Sequence, residues 1–275
     1  MRRRWRRAGR QGPLVAGGAL TLLIVATALL SAVYTPRDPL GMDVAIRLQP
    51  PSAAHPFGTD QFGRDTLSRV MRGAIASLRV GAVAVAIGLA AGVVLGLAAG
   101  WAGGWVDEAL MRVMDAVYGF PAVLSALLLA AAFGPGVLLS MVAVGLAYVP
   151  AFARLTRAQV LTLREQEFVA AARALGGSDL WLLVRHVLPN TVSPLVVQAT
   201  ISFPLAILAE AALSYLGLGT QPPYPSWGLM LREAQSFLAL SPWFAIFPGA
   251  AIAAAVLGFN LLGDGLRDLL DPRTA

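Results

Sequence analysis

Six long apolar runs, separated by short polar stretches or stretches rich in Pro and Gly, decide what this chain can become. They fall at about 13–34, 78–99, 106–133, 137–153, 191–216 and 242–262. Each approaches the roughly 20 residues a helix needs to cross the hydrocarbon of a bilayer. Only 13% of the residues are charged, against about 25% in an ordinary soluble domain. The expectation is an all-α polytopic membrane protein with six transmembrane helices and both termini on one side.

The polar stretches divide the chain. MRRRWRRAGR, with six Arg, reads as a basic cytoplasmic tail over 1–12, followed by a first transmembrane helix over 13–34. A signal peptide has an apolar core of about 7–15 residues, shorter than this run, so a retained span is preferred. Cleavage would leave the downstream orientation unchanged. Residues 35–77, with PRDPLGMD and HPFGTDQFGRD, read as an extracytoplasmic loop. A five-helix core over 78–263 follows, interrupted by a cytoplasmic loop at 154–190, and 264–275 form a cytoplasmic tail. Arg154, Arg157, Arg164, Arg173 and Arg185 lie in or at that loop, as the excess of positive charge on cytoplasmic loops requires. The 35–77 segment carries Arg37, Arg47, Arg64, Arg69 and Arg72. The internal side still has the larger total, and it sets the orientation.

Several chemistries are excluded by residue type. There is no Cys, hence no disulfide, thiol chemistry or thiolate metal site. All 21 basic residues are Arg; a P-loop needs Lys to reach the β- and γ-phosphates, so this chain has no such ATPase and must draw any energy from another chain. His55 and His186 are far apart in sequence, and there is neither a zinc-protease His-Glu-x-x-His nor a Gly-x-Ser-x-Gly elbow. No metal site and no cofactor are expected. The net charge of +6 reads as topology anchors and not as a nucleic-acid surface. An ion-coupled carrier usually uses several ionisable groups within its spans. Only Glu210, in AILAEAALSYLG, is well inside an apolar run. It is a candidate for the transport pathway or an interface, or a residue near the outer end held by backbone or a partner subunit.

Within the second run Gly88, Gly92, Gly96 and Gly100 recur every fourth residue. With 3.6 residues per turn they draw one stripe, and small residues let helix backbones approach closely in lipid. The stripe reads as a helix-packing seam, and such a seam can also slide. Pro121, Pro150, Pro194, Pro204 and Pro248 punctuate the other runs, each removing a backbone donor. Glu108, Arg112 and Asp115 are spaced to pair along one helix face and read as an anchor.

The segment EFVAAARALGGSDLWLLVRHVLPN, 167–190, is amphipathic and split at Gly176-Gly177. Its first half suits an Ala-rich helix with Phe168, Ala171, Ala172 and Leu175 on one face. Gly176 can stop that helix in a left-handed conformation. Ser178 can cap a second helix offering Leu180, Leu183, Val184 and Val187, with Pro189 at the return to the membrane. Such a hairpin either lies on lipid or is a knob fitted to a socket on a soluble partner.

This segment resembles the EAA loop of permease subunits of bacterial ABC importers, whose pattern is E-A-A-x3-G-x9-I-x-L-P. Ala171, Ala172, Gly176, Leu188 and Pro189 match at the right spacing. Ala170 stands where the pattern has Glu, and His186 where it has Ile, with Val187 beside it; Glu167 lies one turn earlier. HPFGTDQFGRDTLSR, GGWVDEALMRVMD, AEAALSYLGLG, QPPYPSWGLML and FNLLGDGLRDLLDP extend the resemblance to nearly the whole chain. Together they are similar to the C-type permease of peptide/opine/nickel importers. The resemblance implies a type I ABC importer transmembrane domain in the bacterial inner membrane, with both termini cytoplasmic. It further implies a homologous B-type permease, two ABC ATPase subunits, an extracytoplasmic solute-binding protein, and no catalytic residue on this chain. Glu167, Ala171, Ala172, Gly176, Leu188 and Pro189 would couple to the ATPases. Asp60, Arg64 and Asp65 would meet the binding protein or sister permease, or else pack within their own loop. Small peptides are the expected cargo, with nickel, an opine or glutathione as alternatives, and a stand-alone ion-coupled carrier as the reading from another class.

Overall fold

The computed structural model describes residues 2–270, with side chains from 12 to 269; the side chains of the tail expected over 1–12 lie largely outside these described residues, as does the chain from 271. Helix α1 (Arg2–Val33) leads through a loop to α2 (Thr66–Ala102). Then come α3 (Gly104–Tyr118), α4 (Ala122–Phe133) and α5 (Val137–Leu163). Two short helices, α6 (Glu167–Ala174) and α7 (Asp179–Leu182), precede α8 (Leu188–Tyr215). Helix α9 (Trp227–Ala234) and α10 (Trp243–Leu270) complete the order. Among the described residues the one extended pairing is a bridge between Thr59 and Asp65. Among the described residues five helical segments are long and apolar enough to span a membrane, and six if the bent pair α3–α4 counts as one.

Helix α2 begins twelve residues before the expected span, so the first loop ends at Asp65 and not at Ser77. The cause is local. The Asp65 carboxylate accepts hydrogen bonds from the backbone N–H and the hydroxyl of Ser68, at 2.8 and 2.7 Å, which satisfies donors left open at a helix start. At about 1.5 Å per residue, 37 residues give α2 a length near 55 Å, well beyond the roughly 30 Å hydrocarbon thickness.

The third run is broken. Helices α3 and α4 meet at an 83° bend across Gly119, Phe120 and Pro121, where the fixed φ and missing donor of Pro121 end one ladder and start another. Pro150, Pro194, Pro204 and Pro248 instead lie inside continuous helices. The expected Glu108–Arg112 pair forms at 3.0 Å on the surface. Asp115 turns away from it to Arg154 of α5, at 3.1 Å. Asp107 grips Arg157 with both oxygens, at 2.5 and 2.6 Å, so the strongest anchor of α3 runs across to α5 and not along α3 itself.

The core is built on α2. Gly88, Gly92, Gly96 and Gly100 are all buried against α5. A Cβ on Gly92 would stand 2.8 Å from the carbonyl oxygen of Val149, and one on Gly100 would stand 2.7 Å from Cβ of Val160. Gly145 answers from α5, where an added Cβ would meet Ile87 at 2.8 Å. Side chains of α8 join this seam through Leu195, Ala206 and Leu213. A second cluster gathers α1, α2, α8, α9 and α10 around Ala28, Ala74, Ile207, Trp227 and Ile252. The Trp227 indole N–H donates to the Val70 carbonyl at 2.9 Å, locking α9 onto α2.

Candidate functional site

Two constructions stand at opposite ends of α2. At its C-terminal end the chain makes a knob. Helix α5 stops at Arg164, whose guanidinium donates to the Gly100 carbonyl at 2.9 Å and so places a cation at the negative end of α2. Helix α6 follows directly. It ends in paired hydrogen bonds: the Gly177 N–H donates to Ala172 O at 3.2 Å and the Gly176 N–H to Arg173 O at 3.0 Å, with Gly176 at φ +89°. This is the left-handed helix stop in which a side chain is disfavoured. No atom would crowd a Cβ at Gly176, so the requirement there is purely conformational.

The second half of the knob differs from expectation. The Ser178 side chain makes no cap hydrogen bond, and α7 is a single turn. It passes through a π-helical turn, Leu183–Val187, straight into α8. The reason is Pro189, which has no N–H to give the Arg185 carbonyl. The ladder there widens, and Leu188 N–H reaches Leu183 O, as π turns do. Pro189 therefore sits in the first turn of a continuous helix and does not separate two.

Burial sorts the knob's residues. Val169, Ala172, Leu182 and Val187 are buried. Leu175 is 90% exposed, Leu180 72% and Val184 56%, with Phe168 and Trp181 also exposed. Of the six residues expected to couple, Glu167, Ala171, Gly176 and Pro189 are exposed, Leu188 is half-buried, and Ala172 faces inward. Trp181 packs edge-on to His186, ring centres 4.7 Å apart. The Arg173 guanidinium lies 5.2 Å from the centre of the Trp101 ring at the end of α2.

At the other end of α2 the 35–65 loop is closed on itself. The Arg64 Nε lies 2.6 Å from Asp60. Arg69, wholly buried, pairs with Glu233 at 2.6 Å and with Asp60 at 3.4 Å. His55 pairs with Asp65 at 2.9 Å. Asp60, Arg64 and Asp65 are 0, 2 and 3% exposed, and their charges are matched inside the chain. Arg69 and Glu233 were not singled out from sequence. They lie 164 positions apart, and no local pattern links them; the only advance signal was Asp65 followed by Ser68, a helix-start pair.

Glu210 is also fully buried at this end. It accepts from Ser77 Oγ of α2 at 2.9 Å and from Ser214 Oγ at 2.7 Å. Ser77 Oγ in turn receives the Trp227 N–H at 3.4 Å, and Ser214 Oγ receives that of Thr220 at 3.0 Å. The carboxylate thus ties α2, α8 and the loop before α9 together, and within this chain it faces hydroxyls. Elsewhere, an apolar cavity of about 490 Å³ lies between α2, α8 and α10, lined in part by Val85, Leu89, Leu188, Phe203 and Phe259.

Comparison with known proteins agrees with this geometry. A family model described as binding-protein-dependent transport system inner membrane component matches residues 92–275. A dipeptide transport system permease protein of Alkalihalophilus pseudofirmus is 43% identical over 278 residues, covering 98% of this chain and 90% of the relative. A glutathione transport system permease protein of Shigella flexneri serotype 5b is 46% identical over 270 residues, covering 98% and 89%. Among solved structures, the inward-facing MetNI methionine ABC transporter matches with a TM-score of 0.60 at 16% identity, over 74% of this chain and 96% of that one. At that identity the likeness is one of fold.

Proposed function

The chain belongs to the family of binding-protein-dependent transport system inner membrane components, and from that premise we propose that it forms half of a passage for small peptides, driven mechanically at its knob. It is a permease subunit of an ABC importer, a multi-pass protein of the bacterial inner membrane, and ATP hydrolysis belongs to a separate subunit. Its named relatives carry peptides, dipeptides or glutathione, which supports peptide cargo over nickel or an opine. The working complex contains a homologous second permease, two ATPases and an extracytoplasmic binding protein. Both termini and the knob face the cytoplasm; the loop around Asp60 and Glu233 faces outward.

The observation that carries the reading is the knob's exposed apolar face around the Gly176 stop. Large apolar side chains standing clear of the bundle mark a docking surface, and the π turn runs straight into α8, so the knob moves with that helix. Closure of the ATPases around nucleotide shifts their sockets. The bundle responds by favouring one of two arrangements, because nucleotide binds one of them better. Glu167, Ala171 and Gly176 present the docking edge, and Leu188 and Pro189 form the stem.

The test is reconstitution. With sister permease, ATPases and binding protein present, labelled peptide should accumulate in vesicles against its gradient only when ATP is supplied. Purified alone, the chain should accumulate none. Sustained accumulation by the single polypeptide, with no nucleotide-hydrolysing companion, would overturn the proposal in favour of an ion-coupled carrier.

A further inference from the structure

Between the loop-side third of α2, the start of α5 and the strap 220–225 lies a cavity of about 600 Å³. That is within the range of roughly 300–1,000 Å³ common for small-molecule sites. Its α2 wall carries Arg72, Ile75, Ala76 and Arg79, spacings that set both guanidiniums on one helix face. Leu138, Met141, Gln221 and Tyr224 stand opposite. Among the described residues no Asp or Glu lines the cavity. Arg72 gives one nitrogen to the Ser31 carbonyl at 2.9 Å. Arg79 is exposed, and among the described residues it has neither hydrogen bond nor ion pair. The contrast with Arg64 and Arg69, each matched to carboxylates a few turns away, is plain. An ionisable side chain on a membrane helix is costly without a partner and marks a functional position by default.

We propose that this cavity binds the carboxylate of the transported molecule, Arg79 supplying the planar fork that takes both oxygens and Arg72 a second positive charge. The inference rests on the peptide-import reading and narrows it. Every linear peptide ends in a carboxylate whatever its side chains, so one fixed cation pair serves a mixed cargo. The apolar wall of Ile75, Val137, Leu138 and Met141 accepts variable side chains without discriminating among them. Gln221 is held in place by donating to the Gly217 and Gly219 carbonyls at 2.9 and 3.0 Å, so the strap offers a fixed polar edge. Two guanidiniums with no facing carboxylate repel a bare dication, so the site also argues against nickel.

The experiment uses the complete complex with its binding protein, reconstituted in phosphatidylethanolamine–phosphatidylglycerol vesicles and, in parallel, in pure phosphatidylcholine. The probe is a labelled mixture of short peptides with free carboxyl ends. Arg79→Gln should lower the initial uptake rate roughly tenfold or more in both lipids, the scale of a lost charge-assisted hydrogen bond. Arg79→Lys should be intermediate, since it keeps the charge and loses the planar fork. Because Arg79 has neither hydrogen bond nor ion pair among the described residues, its removal orphans none of them, and membrane abundance of the variant should match wild type. Unchanged uptake by Arg79→Gln would overturn the proposal. A defect confined to the anionic vesicles would assign the arginines to lipid phosphate, and loss of the sister permease on purification would assign them to a subunit contact; either result also overturns it. Failure of the peptide reading looks different: the wild-type complex itself would then accumulate no peptide, and the site would fall with it.

Discussion

The two ends of α2 are finished to different degrees. At the loop end Asp60, Arg64, Arg69 and Glu233 are drawn in from three segments, nearly all out of solvent, and Glu210 lies in a cage of hydroxyls. At the knob end the charged contact between the two short helices is Arg173 to Asp179 at 3.5 Å, both side chains exposed, while Leu175 and Leu180 stand in the open. One end carries its partners within the same chain. The other presents apolar surface that only a second protein, or lipid, can cover. The proposed docking at the knob would use this asymmetry: a rigid frame for force to act against, and an adaptable surface where it enters.

The comparison can be broken at the rigid end first. Asp60→Ala leaves the Arg64 and Arg69 guanidiniums buried with only Glu233 between them. Removing one member of a buried charge pair costs about 3–5 kcal/mol, so folded protein in the membrane should fall sharply and the detergent melting temperature should drop. Unchanged melting would mean the network does not hold the loop end together. Next is the seam joining the ends. Gly92→Leu drives a side chain into the Val149 carbonyl and Ala153 N–H, which a Cβ alone would approach to 2.8 and 2.9 Å. Overpacking of this kind costs about 1–3 kcal/mol. It should lower thermal stability and uncouple ATP hydrolysis from uptake together; loss of stability with normal coupling would detach the seam from force transfer.

Gly176→Val sharpens the other side. A β-branched residue at φ +89° is strained by about 1–2 kcal/mol, but the strain is confined to an exposed turn. Membrane abundance should hold while uptake disappears and the ATPase fails to copurify; normal uptake would refute docking at this turn. The smallest folding effect belongs to Leu175→Ser and Leu180→Ser. Their stability should stay within about 0.5 kcal/mol of wild type, yet ATPase retention on an affinity column should weaken. Full retention would return the knob to the alternative of a hairpin lying on lipid.

The knob was more legible in sequence than the loop. Its parts are local: an Ala-rich run, a Gly pair, a Pro, each acting within one or two turns. Even so, Pro189 was expected as a boundary and instead widens a continuous helix into a π turn, because the helix continues on both sides of the missing N–H. Phe168 and Ala172 were expected on a common face; Ala172 is buried and Phe168 is exposed. In the loop, Asp60, Arg64 and Asp65 resembled partner contacts because they are charged and lie outside the apolar runs. Their burial depends on Glu233, Ser68 and His55, and no periodicity points from Asp60 to Glu233. The early start of α2 could have been read from Asp65 and Ser68, but the low hydropathy of Arg69 and Arg72 hid it.

Length and apolarity alone made this chain a bundle of membrane helices. A bilayer offers no hydrogen bonds, so every run of about 20 apolar residues must satisfy its backbone internally. The four-residue spacing of glycine marked where one helix would lie closest to another, and the absence of Lys removed P-loop ATP hydrolysis from its own repertoire. Which charges meet was decided by the tertiary structure, since ion pairs such as Arg69–Glu233 and Arg157–Asp107 close over distances along the chain that local spacing does not encode. The same packing left Arg79 unmatched, and only the arrangement of its neighbours shows that no carboxylate of the described chain reaches it.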